Sequence, residues 1–162
     1  MLKFEKERIG TVTYEAASVC DVNLDGVPDI VSGEYWFEGP DFKKQHKICD
    51  VRPVDDYFDD FSDYPMDVNG DGYPDLITGG WWGQTLRWRE NPKGEPVEWL
   101  VHDIARVGNI ERSCFHDIDG DGVVEVIPNC PGSPVMIFRL VRDADGRGAG
   151  RFERFTVYDG PA

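Results

Sequence analysis

The chain has 162 residues, enough for one domain with a buried core, and nine Phe, six Tyr and five Trp in a 40% hydrophobic composition exclude a disordered tail. A net charge of −14 argues against nucleic acid or an anionic membrane surface as partner and suits divalent cations. No stretch approaches the roughly 18 apolar residues of a membrane span, and 18 Gly with 11 Pro favour many turns over long helices.

The opening "MLKFEKERIG" lacks the apolar core of a signal peptide, so the expectation is either a cytoplasmic chain or an export signal outside this sequence. Within it, Phe4 to Ile9 overlays Trp99 to Ile104 further along, so residues 1–12 are predicted to form a leading outer strand. Three acidic stretches then follow: "DVNLDGVPDIVSG" from Asp21, "DVNGDGYPDLITG" from Asp67 and "DIDGDGVVEVIPN" from Asp117, 46 and 50 residues apart. Such periods mark propellers or solenoids. "WFEGP" at Trp36 resembles "WRENP" at Trp88, and "QHKICDV", "WLVHDIA" and "FERFTVYD" close the three units alike.

Each unit reads as four short strands. In the second unit these are "FSDYPMDV", "DLITGGW", "TLRWREN" and "VEWLVHD", separated by Gly, Pro and polar clusters and without helical periodicity. The predicted fold is all-β: a partial β-propeller of three four-stranded antiparallel blades over 13–58, 59–108 and 109–162. The competing arrangement is a tandem array of small β domains. Because the third blade has its own outer strand, the leading strand is surplus, which favours a piece of a longer propeller over a three-plus-three dimer. Open ends would favour association with further blades or with a second copy.

The acidic stretches put oxygen donors at positions 1, 3, 5 and 9 and a carbonyl at 7, a pattern suited to calcium, which takes 6–8 oxygens. The candidate ligands are Asp21, Asn23, Asp25, Val27 (carbonyl) and Asp29; Asp67, Asn69, Asp71, Tyr73 (carbonyl) and Asp75; and Asp117, Asp119, Asp121, Val123 (carbonyl) and Glu125. Up to three Ca²⁺ are therefore expected. An EF-hand needs Glu at position 12 and flanking helices; Ser32, Thr78 and Pro128 stand there, before strand-like flanks. The alternative is an Asp/Asn/Gly-rich hairpin turn without metal. Ten carboxylates in three short loops favour a cation, since like charges held this close repel. Leu24 replaces the glycine found at Gly70 and Gly120, so the first loop is expected to be strained and the weakest site.

"DVNLDGVPD", "DVNGDGYPD" and "DIDGDGVVE", each followed by an apolar strand, resemble FG-GAP/VCBS repeats, the calcium-loop blades of integrin α-subunit propellers and of many secreted bacterial proteins. The resemblance implies a seven-bladed, usually extracellular ring stiffened by calcium, and a secreted, periplasmic or cell-surface location. It implies no single activity: related propellers serve in adhesion, in lectin-like binding and as domains of carbohydrate lyases or dehydratases.

Propeller geometry puts the acidic loops on one rim and the loops between second and third strands on the other. There Tyr35, Trp36, Tyr57, Trp81 and Trp82 are expected beside Glu34, Asp59, Asp60, Glu111 and Arg112. Aromatic faces next to carboxylates suit a sugar, so carbohydrate is the leading ligand and a protein partner the second; packing between blades is the plainer role for any one Trp. Trp88 and Trp99 are expected in the core.

No catalytic residue is assigned. Glu34, Asp60 or Glu111 would serve as base in a lyase or dehydratase, but no nucleophile-elbow, P-loop or HExxH pattern is present. His46 and His102, at similar places in outer strands, are expected to be structural, and His116 precedes the third loop as a candidate metal neighbour. Cys20, Cys49, Cys114 and Cys130 form no CxxC pair and are expected as free thiols, with disulfides as the alternative in an oxidising compartment.

Overall fold

Short alternating runs bounded by Asp, Gly and Pro fold into strands alone: in the computed structural model, which describes residues 1–11 and 13–160, no residue is helical. None of the described residues forms a helix long and apolar enough to cross a membrane. Blade 1 holds β1 (Ser18–Cys20), β2 (Asp29–Ser32), β3 (Tyr35–Glu38) and β4 (Lys44–Lys47), hydrogen-bonded in that order. A hairpin, β5 (Pro53–Val54) and β6 (Tyr57–Phe58), crosses to blade 2, formed by β7 (Ser62–Met66), β8 (Asp75–Gly79), β9 (Thr85–Glu90) and β10 (Leu100–Arg106). Blade 3 holds β11 (Arg112–His116), β12 (Glu125–Asn129), β13 (Val135–Arg142) and β14 (Gly148–Tyr158). All pairings are antiparallel, and β7 lies beside both β1 and β11, which aligns the inner strands as in a partial β-propeller.

The three blades share one register. Cys20 pairs with Asp29, Met66 with Asp75 and His116 with Glu125, so the ninth residue of each acidic stretch opens the second strand. In the next layer Trp36 pairs with His46, Trp88 with His102 and Ile137 with Phe155.

Period-two alternation sends neighbours to opposite sides of a sheet. Because blade 2 is covered on both faces, β8 is buried throughout. Leu76 enters the core shared with blade 1, alongside Val22, Val31, Trp36, Ile48 and Trp99. Ile77, the next residue, enters the core shared with blade 3, alongside Trp88, Ile110, Val126 and Phe138. In β13 the alternation is visible directly: Met136, Phe138 and Leu140 are buried, and the intervening residues are half-buried. Trp88 and Trp99 are core residues, as expected.

The leading strand is not formed. Residues 1–10 belong to no sheet, and Gly10 instead lies against the Phe37 ring, with Lys6–Gly10 bordering a groove against Ala17, Ile30 and Phe37. A segment resembling an outer strand needs a blade that lacks one, and β4, β10 and β14 already fill that place. Val12, in the predicted leading segment, and Pro161 and Ala162, at the end of predicted blade 3, lie outside the described residues. All four cysteines are free thiols.

Candidate functional site

Each acidic stretch forms the hairpin loop between the first two strands of its blade, and each is organised by its own carboxylates. In the first loop the backbone N–H of Asp25 donates to Asp21 Oδ1 (3.0 Å) and Asn23 Oδ1 (3.1 Å), and Gly26 N–H to Asp21 Oδ2 (2.8 Å). The second repeats this, with Asp71 N–H donating to Asp67 Oδ1 (3.1 Å) and Asn69 Oδ1 (3.0 Å) and Gly72 N–H to Asp67 Oδ2 (3.0 Å). Val27 and Tyr73 donate to Asp25 Oδ1 and Asp71 Oδ1, at 2.8 and 3.0 Å. Positions 1, 3 and 5 are thus turned into the loop by local geometry, and their donor set is entirely oxygen, which fits a hard cation. Leu24 has φ 59°, the left-handed value that its glycine counterparts adopt freely.

The ninth residue is also a brace. Asp29 accepts from Val22 N–H (2.9 Å) and Gly39 N–H (2.8 Å), and Asp75 from Val68 N–H (2.9 Å) and Asn91 N–H (2.8 Å). Both carboxyls are fully buried. Burial pushes Asp75 up to about 7, winning over the backbone hydrogen bonds that lower it, and raises Asp29 for the same reason.

The third loop keeps the same scaffold but receives an arginine. Gly120 and Gly122 donate to Asp117, and Ile118 N–H to Glu125 Oε2 (2.9 Å). Asp117, Asp119 and Glu125 each offer an oxygen within 4.8 Å of the others. Arg139, however, reaches in from β13 to pair with Asp119, and its Nε donates to Glu125 Oε1 at 3.2 Å. A guanidinium therefore already engages two of the donors that a cation would use here.

On the opposite rim Trp81, Trp82 and Glu111 come together with Glu15, Tyr57 and Phe61 around a groove of about 340 Å³. Gly79 and Gly80 make this possible: any side chain at Gly80 would collide with Asp59, and at Gly79 with Ile110. The chain turns there, and Trp82 N–H is fastened to Asp59 Oδ1 at 2.9 Å. The Trp82 ring sits 6.0 Å from Tyr57 and 5.9 Å from Phe61, tilted to both, and is half-buried. Arg112 is exposed at the start of β11, next to Glu111.

Trp36, Asp60, Glu34 and Tyr35, all expected on this rim, do not line the groove. Trp36 is 2% exposed and stacks on His46 at 4.2 Å between centroids, because period two turns it towards blade 2. Asp60 is fully buried: Arg89 Nη2 donates to it at 2.9 Å and Thr78 Oγ1 at 2.6 Å, while Arg89 also faces Asp63 at 3.5 Å. Glu34 is half-buried and accepts from Val51 N–H at 2.9 Å, and Tyr35 packs near Phe37. So Asp60 and Glu34 are engaged in holding the fold, and of the three candidate acids only Glu111 lines the groove, where Glu15 joins it. His46 and His102 stack on Trp36 and Trp88 and pair with Glu38 (3.1 Å) and Glu90 (2.7 Å), consistent with structural roles. Phe61 and Glu15 were not singled out from sequence. Phe61 stands in the same crossing as Tyr57; Glu15 carries no local signal.

Four-stranded blades with an acidic hairpin at the same register in each define a repeat propeller segment. Residues 67–127, from the second acidic loop into β12, match the FG-GAP-like repeat. Neither the curated proteins nor the solved structures yielded a match.

Proposed function

We propose that this chain is a calcium-stabilised propeller binding module of an extracellular or periplasmic protein, with carbohydrate as ligand on the aromatic rim. The observation that carries the ligand reading is the groove itself. Tyr57, Phe61, Trp81 and Trp82 line it beside Glu15 and Glu111. The CH face of a pyranose packs on such rings while carboxylates accept its hydroxyl protons. Its volume of about 340 Å³ lies at the lower end of small-ligand sites.

The calcium reading is supported by the oxygen-only donor sets of the first two loops. Asp21, Asn23, Asp25, Asp29 and the Val27 carbonyl would hold one ion, and Asp67, Asn69, Asp71, Asp75 and the Tyr73 carbonyl another. Calcium bound there supplies the positive charge that offsets carboxylates crowded in one hairpin. Sites of modest affinity fill outside the cell, where calcium is plentiful, which supports the proposed location.

Calorimetry and tryptophan fluorescence against a panel of neutral, acidic and amino oligosaccharides test the ligand reading. Binding that is lost in Trp82→Ala, with the thermal transition retained, is the expected result. No binding to any sugar, or equal binding by the variant, overturns it. Melts in calcium and in EDTA test the metal separately: at 100 times its dissociation constant each ion adds about 2.7 kcal/mol, and coincident melts would remove the calcium reading.

A further inference from the structure

The three blades align residue for residue, so a charge reversal in one of them stands out. One residue beyond the pairs Ile30–Phe37, Leu76–Arg89 and Val126–Phe138, the third strand carries Glu38, Glu90 and Arg139 opposite the ninth loop residue. In blades 1 and 2 that glutamate pairs with a histidine of the outer strand, and Glu90 also accepts from Asn69 Nδ2 at 3.3 Å. In blade 3 the whole set has changed together. Arg139 replaces the glutamate, Phe155 stands where His46 and His102 stand, and Asp119 replaces Asn23 and Asn69 at loop position 3.

These exchanges compensate one another. Arg139 Cζ lies 5.7 Å from the centre of the Phe155 ring, a cation–π distance. Its guanidinium pairs with the acid gained at position 3 and donates to the acid at position 9, whose side chain is 1% exposed. A rigid fork held on both sides suits a fixed ion pair better than a flexible ammonium would.

We infer that Arg139 takes the place of the metal ion in the third loop, so that the chain holds two calcium ions, in the first and second loops, and closes the third with an internal ion pair. This rests on the reading that the first two loops take calcium. A dication entering the third loop would have to expel the guanidinium from two donors or stand against its charge. The loop order expected from sequence, with the first as the weakest site, is thereby changed.

Calcium titration by calorimetry with native mass spectrometry tests this on the wild type, Arg139→Gln, Arg139→Glu and Asp121→Ala. The expected counts are two ions for the wild type, three for Arg139→Gln, three for Arg139→Glu (which restores the residue of blades 1 and 2) and two for Asp121→Ala. A wild type that binds three, or a count that falls in Asp121→Ala, overturns the inference and leaves the calcium reading standing. Two ions in the wild type and in both folded Arg139 variants also overturn it. No binding by any form overturns both readings. The two Arg139 variants keep the test open should one of them fail to fold.

Discussion

Asn91 Nδ2 donates to the carbonyl of Val22 at 2.9 Å, joining residues 69 positions apart across the boundary between blades 1 and 2. The same amide donates to Pro74 O (3.0 Å), its Oδ1 accepts from Gly94 N–H (2.7 Å), and its backbone N–H reaches Asp75. One buried side chain thus fastens the first acidic loop to the second. Asn91→Ala leaves two carbonyls and an N–H short of a partner, so it is expected to cost about 2–4 kcal/mol, measured by urea unfolding. A loss below about 0.5 kcal/mol would mean that water replaces the amide without penalty.

Blades 1 and 2 are also joined through Arg89, whose charge partners lie in blade 2 and whose Nη1 reaches a blade 1 carbonyl. Arg89 serves both Asp60 and Asp63 and donates to Gly33 O at 2.9 Å, with both carboxylates closed to solvent and the arginine side chain 5% exposed. Arg89→Met strands two carboxylates and is expected to cost about 3–5 kcal/mol. Combining it with Asp60→Asn and Asp63→Asn removes the stranded charges, so the triple variant should melt above Arg89→Met. The reverse order would show that the pairing is immaterial.

Asp75 predicts a pH dependence. Its folded value of about 7 lies above the ordinary value of about 3.9. The folded state therefore holds a proton that the unfolded state has released, and this contribution is fully present below about pH 4 and lost as pH rises through about 7. In calcium-free buffer the melting temperature should fall between pH 5 and 8, with a shallower slope in Asp75→Asn. Identical slopes in the two proteins would exclude Asp75 as the cause.

Leu24→Gly should stabilise. A left-handed non-glycine residue costs roughly 1–2 kcal/mol, and glycine returns about half of that as entropy lost on folding. The expected net gain is about 0.5–1 kcal/mol by chemical denaturation, and a loss would show that the exposed Leu24 side chain makes a contact that matters.

The two kinds of tryptophan should separate cleanly. Trp88→Ala empties a core position and is expected to cost about 3–5 kcal/mol, whereas Trp82→Ala, on the rim, should change stability little. Similar losses in thermal melts of both would assign Trp82 to the core instead.

The strands and loops were legible in the sequence because their causes are local. Period-two alternation, the turn residues around "TLRWREN" and the spacing of Asp67, Asn69 and Asp71 act within a few residues, and the same causes recur in each unit. Trp88 and Trp99, expected in the core, lie there. The candidate site was legible in part: Trp81, Trp82 and Glu111 share a groove, because each rim loop repeats at a fixed blade position.

What the tertiary structure decided depends on contacts between segments far apart in the chain. Trp36 and Trp82 follow alike a strand and a glycine, yet the face of β3 that meets blade 2 buries one, and Asp59 under Gly80 holds the other at the rim. Asp60 reads as a surface acid until Arg89, 29 residues on, meets it in the core. The leading segment has the pattern of a strand, but a strand exists only where a partner backbone offers its hydrogen bonds. In the third loop the oxygen pattern is intact, and the pairing of Asp119 with Arg139, 20 residues away, exists only in the folded chain.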